Sequence, residues 1–253
     1  MEQQTFELLL LTMTALAGVF VALYYVRAGY GMFQTSKWGI SLNNKVGWVL
    51  MEAPVFFVML YLWWNSSVRC DAVPLVFFLL FELHYFQRAF IFPFLMKGKS
   101  RMPIAIMLMG VAFNVLNGLM QGEWLFYIAP DGLYSDAWFG TPSFWSGVVL
   151  FFVGMGINIH SDSVIRHLRK PGDTRHYLPQ KGMYRYVTSG NYFGELLEWV
   201  GFAVLTCSPA AWVFVLWTFA NLAPRANSIR NRYREEFGAQ AVGSRKRMIP
   251  FIY

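Results

Sequence analysis

Residues 143–173 read SFWSGVVLFFVGMGINIHSDSVIRHLRKPGD, and the fold is decided where their apolar first half gives way to polar and basic groups. The apolar part is long enough to cross a bilayer as a helix, which takes about 20 residues. On such a helix Asn158, Asp162, Arg166 and Arg169 follow i, i+4, i+8, i+11 spacing, so an amide, a carboxylate and two guanidiniums share one stripe. Arginine forks pair with phosphate oxygens, while Asn and Asp bond hydroxyls, so the stripe suits an anionic, ribose-bearing ligand. It equally suits a positive-inside anchor whose arginines sit among lipid headgroups, and spacing alone does not choose.

Working outward, the 253-residue chain is 56% hydrophobic and 14% charged, against about 25% charged in soluble domains. Its ten Trp, thirteen Tyr and twenty-four Phe fit interfacial anchoring in a membrane. Apolar runs predict helices near 5–27, 46–65, 72–96, 102–128, 143–162, 190–207 and 209–230. The loops between them alternate in charge. Arg27, Lys37 and Lys45 fill the first, Lys97, Lys99 and Arg101 the third, Arg166 to Arg185 the fifth, and Arg225 to Arg247 the tail, whereas the even loops carry almost no base. The pattern predicts an all-α integral membrane protein of seven transmembrane helices, N-terminus outside and C-terminus cytoplasmic. With no linker or low-complexity tract, residues 1–253 read as a single membrane-embedded domain. The first segment lacks a basic n-region and a cleavage site, so it reads as a retained helix. The net charge of +7 is then a topology signal, and nucleic-acid binding is an unneeded reading.

Polar residues inside spans are expensive and mark sites. Glu52 stands early in the second run, just before Ala53-Pro54, with no base beside it in sequence. It is either a carboxyl bonded to a proline-disturbed turn or one aimed into a ligand pocket. Tyr85 lies in FELHYFQR, 81–88, and alone reads as packing. Asn114, Asn117 and Gln121 share a face of the fourth run, where they line a pocket or bond between helices. Asn191, Glu195 and Glu198 recur at i, i+4, i+7 on the sixth, an interhelical clamp or a ligand contact. Cys70 and Cys207 read as isolated buried thiols, and no His/Cys spacing suggests a metal. No GxGxxG turn and no Walker sequence is present, so a Rossmann domain is excluded.

INIHSD and LRKPGD within 157–173, Glu52-Ala53-Pro54, LHYFQR at 83–88, FPFL at 92–95, NGLMQG at 117–122, YVTSGNYFGELLEW at 186–199 and SRKRMIPFIY at the end together resemble the steroid 5α-reductases, the 3-oxo-5α-steroid 4-dehydrogenases, from about residue 48 onward. The resemblance implies NADPH-dependent reduction of the 4,5 double bond of a 3-oxo-4-ene steroid. It implies that Glu52 and Tyr85 bond the 3-keto oxygen. It further implies that Asn158, Asp162, Arg169, Asn191, Glu195, Arg225 and Tyr233 contact the cofactor, Arg166 sharing their stripe, so that the C-terminal half, about 143–253, binds it. Met51 stands where one vertebrate type has glutamine, and Met109 where it has a pocket-facing arginine.

The partners implied are a steroid or similar flat enone and membrane lipid, with no obligate protein partner. The host membrane is a bacterial inner membrane or the endoplasmic reticulum, with the cofactor site facing the cytoplasm. A trans-2-enoyl-thioester reductase or another lipid enone reductase is the near rival, and a prenylcysteine methyltransferase using S-adenosylmethionine is a more distant one. A seven-helix receptor or carrier leaves Glu52, Tyr85 and the basic fifth loop without joint explanation. A retinal pump is excluded because 209–221 holds no lysine.

Overall fold

The computed structural model describes residues 2–19, 38–97, 100–168 and 175–253. Helices occupy every apolar run named above: α1 (Gln3–Val19), α2 (Asn44–Trp64), α3 (Ala72–Phe86) with α4 (Phe92–Leu95), α5 (Ile104–Glu123), α6 (Pro142–Arg166), α7 (Gly190–Thr206) and α8 (Pro209–Phe237), followed by the short α9 (Ala239–Val242). Four stretches among the described residues are long and apolar enough to cross a membrane: Asn44–Trp64, Ala72–Leu95, Ile104–Ile128 and Pro142–Arg166. Large apolar side chains such as Phe57, Leu108 and Trp145 stand exposed along them, a surface that lipid accepts and water does not. This is a multi-pass membrane protein. The expected first run extends to residue 27, and residues 20–27 lie outside the described ones, as do Lys37, Lys99, Arg169 and Lys170.

The chain divides into two compact units. The first comprises Met1–Met13, Ala28–Phe144 and Ser208–Ala210. In it, α2 starts where Asn43 Oδ1 accepts from the Lys45 amide at 2.9 Å. The three-residue strands β1 (Ser41–Asn43) and β2 (Arg101–Pro103) pair antiparallel and tie the starts of α2 and α5 together. A Cβ on Gly110, Gly118 or Gly122 of α5 would meet Met51, Val58 or Leu62 of α2 in turn. The contacts climb both helices together, so α2 and α5 run parallel, as helices separated by one intervening span should. Proline interrupts two of this unit's helical runs, α3–α4 and α2. Pro93 offers no N–H to Ala89, and the wider π-helical turn Gln87–Ile91 precedes it; Pro54 likewise leaves Leu50 without a helical donor.

The second unit comprises Thr14–Arg27, Trp145–Cys207 and Ala211–Tyr253. Its spine is the α6–α7 pair. An ideal Cβ on Gly147 would lie 2.4 Å from the Leu205 nitrogen, on Gly154 2.3 Å from Glu198 N, on Gly194 2.4 Å from Asn158 N and on Gly201 2.3 Å from Phe151 N. Each helix contributes two glycines seven residues apart, and contacts ascend one helix as they descend the other. The two are therefore antiparallel and in backbone contact, the small-residue packing that membrane helices favour. The tail is clasped onto this unit. Thr188 and Ser189 amides donate to the Lys246 and Arg247 carbonyls at 2.9 and 3.0 Å. Arg245 spends its guanidinium on the carbonyls of Val242, Pro179, Tyr184 and Ala241.

One expectation is corrected. Cys70 and Cys207 are free thiols, but both are exposed rather than buried. Each falls at a helix boundary: Cys70 just before α3 and Cys207 as the left-handed cap of α7, with φ of 49°. A boundary residue has no neighbouring turn to cover it.

Candidate functional site

The first unit gathers five of the residues that the sequence singled out. Asn114 on α5 points its amide nitrogen at the Met51 carbonyl, 2.7 Å away, and at Glu52 Oε2, 3.2 Å away. One turn further, Asn117 Nδ2 donates to the Tyr85 hydroxyl at 3.1 Å. Adjacent amides on one α5 face thus hold a carboxyl from α2 and a phenol from α3. Asn114, Asn117 and Tyr85 are buried, and the Tyr85 ring lies 4.8 Å from that of Phe81 and 4.9 Å from that of His84. Gln121, next on the same face, is fully buried and donates to Asn117 Oδ1 at 3.5 Å and to the Ala210 carbonyl at 3.1 Å. Two residues that had no role in sequence lie close by along the chain, Glu82 on α3 and Arg88 in the π-helical turn that follows it. Glu82, one turn before Tyr85, is buried with neither carboxyl oxygen hydrogen-bonded among the described residues. Buried Arg88 places its guanidinium 4.9 Å from the Trp48 ring and 4.6 Å from that of Phe92. Met109, at the position where the resemblance places a pocket-facing arginine, is 63% exposed.

The second unit brings the α6 stripe onto α7. Asn158 Nδ2 donates to the Asn191 carbonyl at 3.0 Å and lies 3.5 Å from Glu195 Oε2. Asn191 Nδ2 donates to Asp162 Oδ1 at 3.0 Å. Asn158 and Asp162 are buried, while Asn191 and Glu195 are half-buried. Arg166 is half-buried at the end of α6, and Arg169 lies outside the described residues. On α8, Arg225 Nε donates to the Tyr192 hydroxyl at 2.7 Å, and Tyr233 is buried.

Sequence reasoning passed over Tyr192 and Tyr184. Tyr184 is 1% exposed and its hydroxyl donates to Asn191 Oδ1 at 3.4 Å. Burial pushes its phenol well above the usual tyrosine range, and the Asp162 charge, then Tyr233 and Tyr192, push the same way. It therefore stays a neutral donor. A cavity of about 390 Å³, lined by His160, His167, Gln180 and Lys181 among others, opens on a different face of α6 and touches none of Asn158, Asp162 or Arg166. Among the described residues no group of three His, Cys, Asp or Glu is placed to hold a metal ion.

Comparison with known proteins places the chain in a family. The profile of the family described as 3-oxo-5-alpha-steroid 4-dehydrogenase matches residues 100–253. Steroid 5-alpha-reductase DET2 of Gossypium hirsutum is 33% identical over 261 residues, covering 100% of this chain and 99% of its own length. The 3-oxo-5-alpha-steroid 4-dehydrogenase 1 of Bos taurus is 35% identical over 92% of this chain and 91% of its own, and the type 2 protein of Homo sapiens 38% identical over 96% and 94%. The chain belongs to the steroid 5α-reductase family.

Members of this family are oxidoreductases, and a nicotinamide cofactor needs partners for ribose hydroxyls, a carboxamide and phosphates. The second unit supplies that chemistry: amides at Asn158 and Asn191, carboxylates at Asp162 and Glu195, guanidinium forks at Arg166 and Arg225. Two buried hydroxyls within the same region, Ser161 Oγ beside Asp162 and Ser189 Oγ just ahead of Asn191, have no hydrogen-bond partner among the described residues. The donor set fits the group.

Proposed function

We propose that this 5α-reductase family member reduces the 4,5 double bond of a 3-oxo-4-ene steroid, with NADPH as reductant. The observation that carries the reading is the placement of the Glu52 carboxyl and the Tyr85 hydroxyl by amides one turn apart on α5. An enone accepts hydride slowly because negative charge builds on its oxygen. A carboxyl and a phenol that donate hydrogen bonds to that oxygen stabilise the charge, and a dry, buried setting strengthens them. NADPH, when bound, supplies the hydride to C5. Glu52 and Tyr85 hold the 3-keto oxygen through the enolate, after which C4 takes a proton. Asn158, Asp162, Asn191, Glu195, Arg225 and Tyr233, with Arg166 and Arg169, hold the cofactor, which makes about 143–253 its binding half. Asn114 and Asn117 border the steroid.

The alternating basic loops support seven spans within one membrane-embedded domain, with the N-terminus outside and the C-terminus and cofactor residues on the cytoplasmic side. The parallel α2–α5 and antiparallel α6–α7 pairs agree with that alternation.

The test is incubation of detergent-purified protein with NADPH and testosterone, with the 5α-dihydro product identified by mass and retention time. Glu52→Gln replaces an acidic O–H by an amide N–H that shares far less charge with a developing oxyanion, and is expected to lower turnover by about 10²-fold, while NADPH binding is unchanged. Absence of product from the wild type, with NADPH still bound, overturns the steroid assignment and directs the search to other lipid enones.

A further inference from the structure

Amide side chains can be placed in either of two orientations, and which atom faces which neighbour decides whether a contact donates or accepts. In the first unit two backbone carbonyls, which only accept, remove that freedom. The Ala210 carbonyl fixes Gln121 with its nitrogen toward it. The same nitrogen, with a second hydrogen, faces Asn117, so Asn117 must present Oδ1 to Gln121 and Nδ2 to Tyr85. Reversing Asn117 would set two nitrogen donors against each other. In parallel, the Met51 carbonyl fixes the Asn114 nitrogen toward α2, so Glu52 Oε2 is an acceptor.

The consequence falls on Tyr85. A phenol has one hydrogen and two lone pairs. With one lone pair filled by Asn117, its hydrogen is turned away from α5, and a hydroxyl that accepts a bond is polarised into a stronger donor. We infer that Asn117, locked by Gln121 and the Ala210 carbonyl, is a positioning residue that sets Tyr85 as a hydrogen-bond donor toward the substrate's oxo group, with Asn114 directing Glu52 in the same sense. Rotation of the phenol toward α5, its resting choice beside an acceptor, is prevented. This rests on the proposed role of Tyr85.

Asn117→Asp keeps the shape but offers the phenol an acceptor, so Tyr85 turns its hydrogen inward. Asn117→Leu removes the bond without reversing it, and suits a membrane interior should the aspartate variant fold poorly. With NADPH and testosterone, kcat is expected to fall about 10²-fold in Asn117→Asp, near the effect of Tyr85→Phe, and about tenfold in Asn117→Leu, with KM little changed. Placed on Tyr85→Phe, either substitution is expected to add nothing further. The infrared carbonyl band of bound testosterone, labelled with ¹³C at C3 and measured without NADPH, is expected to move to higher frequency in Asn117→Asp as it does in Tyr85→Phe. If the Asn117 variants lower kcat by the same factor with and without the Tyr85 hydroxyl, the residue serves packing alone and the inference falls. If Tyr85→Phe itself retains full turnover, the proposed role of Tyr85 falls first and the relay with it.

Discussion

The two units treat their polar side chains differently. In the first, Asn114 and Gln121 end on the backbone carbonyls of Met51 and Ala210, and the side chains that they and Asn117 hold inherit a fixed direction. Among the proposed cofactor residues of the second, Asn158 reaches a carbonyl, that of Asn191, while Asp162 and Tyr184 bond the Asn191 side chain and Arg225 bonds Tyr192. A backbone carbonyl inside a helix cannot turn or change partner. A carboxylate, a phenol or a guanidinium can release its neighbour and take a ribose hydroxyl or a phosphate instead. The contrast separates a site whose donors must already point correctly when charge develops from one that exchanges internal bonds for ligand bonds.

Backbone packing reverses that order of rigidity, and the largest effect tests it. On α5, a Cβ at Gly110 would press the side chain of Met51, at 2.4 Å from Cγ and 2.5 Å from Sδ, with no backbone atom among its three nearest contacts. On α6, a Cβ at Gly154 would strike the Glu198 backbone nitrogen at 2.3 Å. Gly154→Ala is expected to destabilise by about 3 kcal/mol and Gly110→Ala by about 1 kcal/mol, the upper and lower parts of the overpacking range, read from thermal unfolding in detergent. Equal losses would mean that the α6–α7 contact is no tighter than α2–α5.

Exchangeable bonds sharpen the comparison next. Asp162→Asn keeps a partner for Asn191 but removes the charge, and is expected to weaken NADPH binding about tenfold, the scale of one charge-assisted bond, with kcat at saturating NADPH preserved. Arg169→Ala is expected to act the same way. Titration of cofactor fluorescence checks both. A fall in kcat at saturation comparable to that of Glu52→Gln would erase the division between holding and reacting.

Much of this was legible beforehand, and the reason differs by residue. Seven apolar runs announce helices because burial in lipid demands continuous hydrophobic stretches, and Glu52, Asn114 and Asn158 stand out because polar groups there are costly. The glycines at 147, 154, 194 and 201 are visible in sequence, but their function depends on a partner helix that no local pattern identifies. Gln121 lay on the right face, yet what fixes it is a carbonyl 89 positions away. Arg245 and Arg247 read as topology charges. They also hold the tail, Arg245 through carbonyls and Arg247 through Asn227 Oδ1 at 2.7 Å, because a guanidinium can serve backbone as well as lipid or phosphate. Tyr184 sits in a loop without periodicity, so nothing marked it.

Tyr184 gives the smallest effect and the finest test of the exchangeable network. Its hydroxyl donates to Asn191 Oδ1, so Tyr184→Phe is expected to cost about 1 kcal/mol near pH 8, the worth of one such bond. Because burial and the Asp162 charge raise the folded-state phenol above its unfolded value of about 10, the unfolded chain releases this proton first. The protonated phenol's contribution is therefore complete below pH 10 and declines as pH rises from there toward the folded value. The difference in unfolding midpoint between wild type and Tyr184→Phe should hence be flat from pH 7 to 9 and shrink above 10. A gap that widens above pH 10 would mean that the folded protein favours the phenolate, and that Asp162 is not the neighbour that keeps this hydroxyl a donor.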